Sequence, residues 1–414
     1  MNFILTALGS AGDVHPFAGL GQHLRRRGHH VTLLANPVFR PLIEKLDLEF
    51  VPLGTADQYE EVLHNPDVWH PYRAFRVIVE FGVKRAVRPV YEAIAARYVA
   101  GKTVVAAHAL DFGARIAQDK LGVPVASTFL APVVFRSTHL PPVVVPGLTG
   151  AWTPPWAIRL LNWLTDVTMA DRLLGPPINA LRRELQLPPV RRILQHWWFS
   201  PTCVIGLFPD WFAPPQADWP RQTTLVGFPL WDESGVTEVP DELETFLQAG
   251  SPPIVFTPGS AMVQGRDFFA AAVDACRLLG RRGILLTRYP RQLPPELPAG
   301  VRHFDYVPLS RVLPGAAALV YHGGIGTLAQ GLAAGVPQLV MNMAHDQHDN
   351  AQRLKRLGVG ASLRPRKFRG PAVARALDEL LAAADVRAQC RQLAARMKQT
   401  DALQHTCDLL ERLA

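Results

Sequence analysis

Short apolar segments that alternate with helical segments constrain the fold of this chain more than any other feature of its sequence. In the first half, strand-like runs such as Asn2 to Leu8 and Thr103 to Ala107 are each followed by a helical segment. The alternation restarts at Pro253 to Phe256 and continues to Val336 to Met341. Units of this kind form right-handed crossovers between parallel strands. The sequence therefore predicts an α/β fold with parallel sheets.

The length of the chain predicts two domains. Its 414 residues, 48% of them hydrophobic, exceed what one core usually holds. Residues 228–240 are rich in proline, glycine and acidic side chains and have no periodicity, which is typical of a linker. We therefore predict a first domain at 1–227, a linker at 228–240 and a second domain that begins at 241.

Several classes of protein are disfavoured by composition. The four cysteines have no CxxC or zinc-like spacing, which argues against a disulfide framework and a structural metal. The N-terminus has no basic signal region, and no run of about eighteen apolar residues is present, so a cytoplasmic chain without a membrane span is expected. The net charge is +8, but no zinc finger, RNP-type motif or basic tail points to nucleic acid.

The segment VYHGGIGTLAQGLAAG, from Val320 to Gly335, predicts a strand, a glycine turn and a helix. Glycines let the backbone approach a ligand closely, and the first turn of a helix favours an anion. His322 before the turn and Thr327 after it add two polar groups. An ordinary strand-to-helix turn is the alternative, but these two side chains favour a phosphate or diphosphate site.

A carboxylate and an amide, Asp346 and Gln347, follow the next predicted strand. Ligands of open α/β sheets bind at the carboxyl ends of the strands. An adjacent acceptor and donor suit the vicinal hydroxyls of a sugar, whereas a polar loop that caps the next helix is the alternative.

The stretch from Leu130 to Pro155 is dominated by proline and apolar residues and predicts no regular element. A long apolar loop after a strand is a natural wall for a hydrophobic acceptor. We assign this role to Phe129, Phe135, Trp152 and Trp156, with contact to a membrane surface as an extension. The alternative is that these aromatic side chains cover the core.

HGGIGT followed by AAGVPQLVMNMAHDQHDNA resembles the donor-binding signature of nucleotide-sugar glycosyltransferases with the GT-B architecture. The resemblance is to the inverting family that includes plant and antibiotic glycosyltransferases. It implies two Rossmann-like domains facing a cleft, with the second at 241–385. It also implies that a C-terminal helix at 386–414 crosses back to the first domain.

The same resemblance implies which residues bind the donor. In the family, His and Thr around the glycines contact the diphosphate, the Asp-Gln pair contacts the sugar, and a serine lies near the phosphates. An aromatic residue stacks on the base and the backbone after it contacts the base edge; family members often carry Trp where this chain has Tyr. The matching positions are Ser260, Tyr306, Val307, His322, Gly324, Gly326, Thr327, Asp346 and Gln347.

Sugar transfer with inversion needs a base for the acceptor hydroxyl. Related enzymes carry His or Asp directly after the second glycine of the first loop, which is GSAGDVHPF here, so the resemblance assigns the base to Asp13. His15 is the rival, and His108 and Asp111 lie where a partner acid occurs in some relatives. The alternative for Asp13 is a cap for the first helix.

The first loop, with VTLLANPVFRPLIEKLDLEFVPLG, most resembles rhamnolipid rhamnosyltransferases. This implies metal-independent transfer of L-rhamnose from dTDP-L-rhamnose to a 3-(3-hydroxyalkanoyloxy)alkanoate, with no cofactor beyond the donor. A UDP-glucose-dependent sterol, hopanoid or polyketide glycosyltransferase is the alternative within the class. A nucleotide-sugar epimerase would not need the proline-rich loop. An inert binding partner would usually have lost Asp13, His322 or Asp346.

Overall fold

The computed structural model describes residues 1–144, 147–148 and 152–414, and the chain divides into two compact units. The first comprises residues 1–229 and 401–414, and the second comprises residues 230–400. The linker predicted at 228–240 lies almost wholly in the second unit. It is held there because the carboxylate of Asp232 accepts hydrogen bonds from the backbone N–H and the hydroxyl of Ser310, at 2.6 and 3.0 Å.

The first unit contains a sheet of seven parallel strands in the order β3-β2-β1-β4-β5-β6-β7. Its central strands are buried almost throughout, as expected for a parallel sheet covered on both faces. The strands are β1 Asn2–Thr6, β2 His30–Ala35, β3 Glu49–Pro52, β4 Thr103–His108, β5 Val125–Phe129, β6 Cys203–Gly206 and β7 Thr223–Leu225.

Helices connect these strands and cover the sheet. The core between the sheet and α5 and α6 is aliphatic, with Val90, Ile94 and Ala117 fully buried. The helices are α1 Ala11–Arg26, α2 Arg40–Lys45, α3 Ala56–His64, α4 Ala74–Val77, α5 Lys84–Arg97, α6 Phe112–Leu121, α7 Pro155–Thr165 and α8 Asp171–Glu184.

The second unit contains six parallel strands in the order β10-β9-β8-β11-β12-β13. They are β8 Ile254–Thr257, β9 Gly283–Leu286, β10 Val301–Phe304, β11 Ala318–Tyr321, β12 Gln338–Met341 and β13 Gly360–Leu363. The helices are α9 Asp241–Gln248, α10 Arg266–Leu279, α11 Leu309–Val312, α12 Ile325–Ala334, α13 Gln347–Arg356, α14 Gly370–Ala382 and α15 Ala384–Met397.

The C-terminal segment forms two helices where the sequence predicted one at 386–414. α15 belongs to the second unit, and only α16, Ala402–Glu411, lies in the first. The break has a local cause, because the carboxylate of Asp401 accepts from the N–H of Gln404 at 3.0 Å and starts a new helix. Arg27 then holds α16 through ion pairs at 2.7 Å to Asp408 and Glu411.

Each sheet has one topological switch point, where the order of the strands reverses direction. In the first sheet it lies between β1 and β4, and in the second between β8 and β11. In open α/β sheets, ligands bind outside the carboxyl ends of the strands at such points. The topology confirms the predicted parallel α/β architecture and singles out two places for functional side chains. None of the helices in the described part of the chain is long and apolar enough to cross a bilayer.

Candidate active site

At the switch point of the second unit, the imidazole of His322 is packed between two glycines. His322 directly follows β11, and Gly259 lies in the turn after β8. A Cβ at Gly259 would be 2.6 Å from the ring Cε1, and a Cβ at Gly324 would be 2.6 Å from Nε2. Any larger residue at either position would displace the ring. The turn TPGS and the turn HGGIGT therefore pack against each other.

His322 is neutral at pH 7 in the free protein. Burial, and then the neighbouring His345, lower the pKa of the His322 imidazole to about 4. A neutral imidazole still carries one N–H that can donate to an anion. The lowered pKa of His322 could not be predicted from the sequence, because it depends on how the ring is packed.

The first turn of α12 is open beside this ring. Gly324 is the N-cap residue in an extended conformation. Gly326 is exposed, and a Cβ there would meet no atom within 4 Å beyond the adjacent residues and the backbone of its own helix. Gly323 has a φ of 102°, and a Cβ there would lie 2.7 Å from Val340. The turn therefore requires glycine at 323 for its backbone, whereas the free space at Gly326 is available to a ligand near the helix N-terminus.

The loop after β12 is shaped by Gln347. Its side-chain oxygen accepts from the backbone N–H groups of Met343, at 2.7 Å, and Ala344, at 3.1 Å. Its amide nitrogen takes part in neither of these bonds and is a hydrogen-bond donor, in a residue that is 2% exposed. The capping interpretation and the binding interpretation of this residue are therefore compatible.

Asn350, which was not among the residues predicted from the sequence, connects that loop to the glycine turn. Its amide donates to the carbonyl oxygen of Gly323 at 2.9 Å and to Oδ2 of Asp346 at 2.7 Å. The carboxylate of Asp346 is thereby held next to the turn that contains His322. The spacing in the sequence could have indicated this contact, because Asn350 lies four residues, or about one helical turn, beyond Asp346, the N-cap residue of α13.

Tyr306 and Val307 follow β10, and Ser260 follows β8; β9 lies between these two strands in the same sheet. The Tyr306 hydroxyl donates to the backbone carbonyl of Asp232 at 2.8 Å, and the guanidinium of Arg288 lies 4.8 Å from its ring centre. Val307 is buried, and Ser260 is exposed in the turn after β8. The interaction with Asp232 fixes the tyrosine ring, and this contact was not visible in the sequence.

At the switch point of the first unit, Asp13 occupies the third position of α1. Its Oδ2 accepts from the N–H of Ser10 at 2.7 Å, so one oxygen supports the start of the helix. Gly9 has a φ of 138°, and a Cβ there would lie 2.1 Å from that oxygen. The helix begins at Ala11. One of the two carboxylate oxygens of Asp13 therefore acts as the helix cap that was the alternative interpretation of the sequence.

The other oxygen of Asp13 faces His108, at the end of β4. Asp13 Oδ1 lies 3.4 Å from His108 Nε2, and the N–H of Leu110 donates to His108 Nδ1 at 3.3 Å. Because Nδ1 accepts, the neutral ring carries its proton on Nε2, directed at the carboxylate. The structure thus brings together Asp13 and His108. His15 lies two residues beyond Asp13, and residues two apart on a helix point to opposite sides.

Asp111 is a buried acid beside this pair. Its Oδ1 accepts from the N–H of Ala114 at 3.4 Å and caps α6. Burial raises the pKa of Asp111 from 3.8 to about 6; hydrogen bonds from Thr6 and the backbone of Ala114, and then the nearby His108, oppose the shift. Asp111 was predicted from the sequence to lie near the base, and the structure shows it buried at the N-cap of α6.

Asp111→Asn is expected to change the pH dependence of folding. Since the folded protein binds this proton more tightly than the unfolded chain, the stabilising contribution is full below pH 3.8 and is lost as the pH rises through about 6. Asn removes the titration and keeps the capping oxygen. Between about pH 4 and about pH 7.5 the variant should gain up to about 3 kcal/mol over wild type, at about 1.4 kcal/mol per pKa unit.

Urea denaturation of both proteins at several pH values measures this difference directly. Parallel curves of unfolding free energy against pH would contradict the raised pKa of Asp111.

Two of the four residues predicted to bind an acceptor are core residues. Phe129 and Phe135 are buried, with ring centres 5.2 Å apart. They have no exposed face because Trp198, Phe199 and Trp219 pack against them. For these two, the alternative that aromatic side chains cover the core is the correct one.

Trp152 and Trp156 are instead strongly exposed. Residues 145–146 and 149–151 of the predicted acceptor loop lie outside the described residues. In the described part of the chain, no group of three or more His, Cys, Asp or Glu side chains is arranged to hold a metal ion.

Two parallel α/β units, each with polar side chains at its switch point, form the architecture in which ligands bind at the carboxyl ends of the strands. Comparison with known protein families identifies the class of protein to which the chain belongs. Residues 3–139 match the N-terminal domain of glycosyltransferase family 28. Residues 284–411 match the C-terminal domain of erythromycin biosynthesis protein CIII-like proteins.

Individual relatives agree with these matches. An uncharacterised glycosyltransferase of Mycobacterium tuberculosis is 30% identical over 100% of this chain and 99% of its own length. The O-mycaminosyltylonolide 6-deoxyallosyltransferase of Streptomyces fradiae is 30% identical over 87% of this chain and 85% of its own length. The solved spinosyn rhamnosyltransferase, complexed with thymidine diphosphate, is 16% identical, covers 99% of this chain and 100% of its own, and has a TM-score of 0.67.

The chain therefore belongs to the GT-B glycosyltransferases, in the family that includes antibiotic glycosyltransferases. The predicted fold and enzyme class are confirmed.

Proposed function

We propose that this glycosyltransferase moves a sugar, with inversion and without a metal ion, from a nucleoside diphosphate sugar to the hydroxyl of a hydrophobic acceptor. The main observation in support of this proposal is that His322 packs against Gly259 and Gly324 beside the open first turn of α12. This arrangement combines an N–H donor, a helix N-terminus and free space, which suits a diphosphate.

For the donor, we propose that His322, Thr327 and the first N–H groups of α12 stabilise the leaving diphosphate, so that no cation is required. Ser260 lies near the phosphates, while Tyr306 and the backbone of Val307 hold the base. Gly326 leaves room for the diphosphate, and Gly324 leaves room for the imidazole of His322. The thymidine diphosphate in the spinosyn rhamnosyltransferase supports a thymidine nucleotide, and dTDP-L-rhamnose is our specific proposal.

For the sugar, we propose that Asp346 and the amide nitrogen of Gln347 bind its hydroxyls. The hydrogen bond from Asn350 orients Asp346 for this role. An anionic carboxylate accepts from two neighbouring hydroxyls in the way that sugar recognition requires.

For the chemistry, we propose that Asp13 is the general base. The acceptor oxygen forms its bond to the anomeric carbon as the bond from that carbon to the diphosphate breaks. The hydroxyl proton passes to Asp13, and the diphosphate leaves with the bonding electron pair. His108 orients the carboxylate through Nε2–H, at 3.4 Å from Oδ1.

For the acceptor, we propose a 3-(3-hydroxyalkanoyloxy)alkanoate, reached at a membrane surface. The exposed side chains of Trp152 and Trp156 support a lipid-facing surface in this unit. A polyketide acceptor is the second candidate, because the relative from Streptomyces fradiae is named for transfer to a tylonolide.

The reaction is tested by mass spectrometry of products. dTDP-L-rhamnose and UDP-glucose are each combined with a hydroxyalkanoyloxyalkanoate, a sterol, a macrolide aglycone and glycerol, with reactions without enzyme as the control. We expect rhamnosylated hydroxyalkanoyloxyalkanoate as the main product. Efficient turnover of glycerol would contradict a hydrophobic acceptor. An epimerised nucleotide sugar with no transfer product would contradict the transferase assignment itself.

A further inference from the structure

A row of large apolar side chains is exposed along α7 and the π-helical turn Asp166–Ala170 that follows it. We call this row the α7 stripe. Its members are between 39% and 66% exposed, whereas a helix of a globular protein normally turns such side chains to the core. They are Trp156, Leu160, Trp163, Leu164 and Val167.

The spacing of the stripe shows that one whole helix face is apolar and exposed. With about 100° between successive helical residues, Trp156, Leu160, Trp163 and Leu164 fall within a sector of roughly 100°. Ile158 points to the opposite side and is buried. α7 therefore has apolar side chains on both sides, and the larger set faces outward.

The exposed charges on the segment that bears the stripe have one sign. Among residues 152–172, the exposed charged side chains are Arg159 and Arg172. Asp166 is fully buried in an ion pair with an arginine at 2.6 Å. The two oxygens of Asp171 accept from backbone N–H groups at 2.6 and 2.9 Å. An apolar face bordered by arginines remains.

We propose that the α7 stripe docks the protein on the surface of an anionic lipid bilayer. Tryptophan is well suited to the level of the lipid headgroups, because its ring is apolar and its N–H is polar. In this arrangement Trp156 and Trp163 enter the headgroup region, and Arg159 and Arg172 contact lipid phosphates.

A second copy of the chain is a poorer occupant of this surface. In a twofold dimer the same patch faces itself, so the arginines of the two copies would approach one another without acidic partners. The negative headgroups of an anionic bilayer would instead neutralise the charges of these arginines. This inference deepens the membrane contact included in the proposed function, on which it rests, and identifies the surface that makes it. Its test uses no transfer reaction, so the two proposals fail separately.

Vesicle co-sedimentation of the full-length protein tests the inference. The vesicles contain phosphatidylcholine alone or an equal mixture of phosphatidylcholine and phosphatidylglycerol. We expect wild type to bind the mixed vesicles, and the double variant Trp156→Gln/Trp163→Gln to lower the partition coefficient at least about tenfold. Arg159→Gln and Arg172→Gln should each lower binding to mixed vesicles about fivefold, since one such charge near an anionic surface contributes about 1 kcal/mol.

Leu278→Gln is the matched control, because Leu278 is a strongly exposed apolar residue on α10 of the second unit. It should leave vesicle binding unchanged. Melting temperatures show whether each variant is folded, and Trp163→Gln alone replaces the double variant if that one is not.

Two results would overturn the proposal. One is absence of wild-type binding to mixed vesicles, or undiminished binding by the tryptophan variants. The other is a wild-type dimer in sedimentation velocity that the tryptophan substitutions dissociate, which would assign the stripe to a second copy of the chain.

Discussion

Asp13→Asn is expected to lower kcat by a factor of about a hundred to ten thousand, which is the usual contribution of a general base. Asn has almost the same size as Asp and keeps an oxygen that can accept from the N–H of Ser10, at 2.7 Å in wild type. It cannot take a proton from the acceptor at neutral pH. The start of α1 should therefore survive while the chemistry is lost. Steady-state kinetics with saturating donor and acceptor measure the effect.

The controls for this variant separate catalysis from folding. His15→Ala should retain most of the turnover, because His15 points away from the Asp13 side of the helix. Donor affinity and melting temperature of Asp13→Asn should stay close to wild type. If Asp13→Asn keeps near-wild-type turnover and His15→Ala loses it, the base is His15. If activity and stability fall together in Asp13→Asn, the carboxylate serves mainly to cap α1.

His322→Ala is expected to weaken the binding of dTDP and UDP by about 10- to 150-fold. A hydrogen bond to a charged group contributes roughly 1.5–3 kcal/mol, and a diphosphate supplies the charge even though the imidazole is neutral. The pKa of about 4 makes that neutral form the dominant one throughout the range in which the enzyme would be assayed. Isothermal titration with both nucleotides gives the affinities.

Two glycine variants sharpen this prediction. Gly324→Ala places a methyl group 2.6 Å from His322 Nε2, so it should displace the ring and weaken nucleotide binding in the same direction. The added methyl group of Gly326→Ala meets no atom within 4 Å beyond the adjacent residues and the backbone of its own helix. It should stabilise the helix by about 0.5–1 kcal/mol. It should nevertheless weaken binding if the diphosphate occupies the space beside it.

One result would contradict the prediction that the glycine turn binds the nucleotide. Unchanged affinity in both His322→Ala and Gly326→Ala would remove the glycine turn from the donor site. Weaker binding in Gly324→Ala alone would then reflect a shifted backbone.

The sequence alone determined the parallel α/β architecture and the glycine turn after β11, because both depend on local patterns. A strand, a turn and a helix N-terminus occupy adjacent residues, and the apolar alternation that builds them is visible without knowledge of the fold. The place of Asp13 in the first turn of α1 also depends on neighbouring residues, because its carboxylate contacts Ser10.

Only the tertiary structure decided which distant residues meet. Gly259 confines His322 because β8 and β11 are neighbours in the sheet, and His108 faces Asp13 because β4 lies beside β1. The prediction that Phe129 and Phe135 bind an acceptor was wrong for the same reason. Phe129 and Phe135 are as apolar as Trp156, but burial depends on what packs over a side chain. Strand order and packing arise from contacts between segments far apart in the chain, and apolar character alone does not determine them.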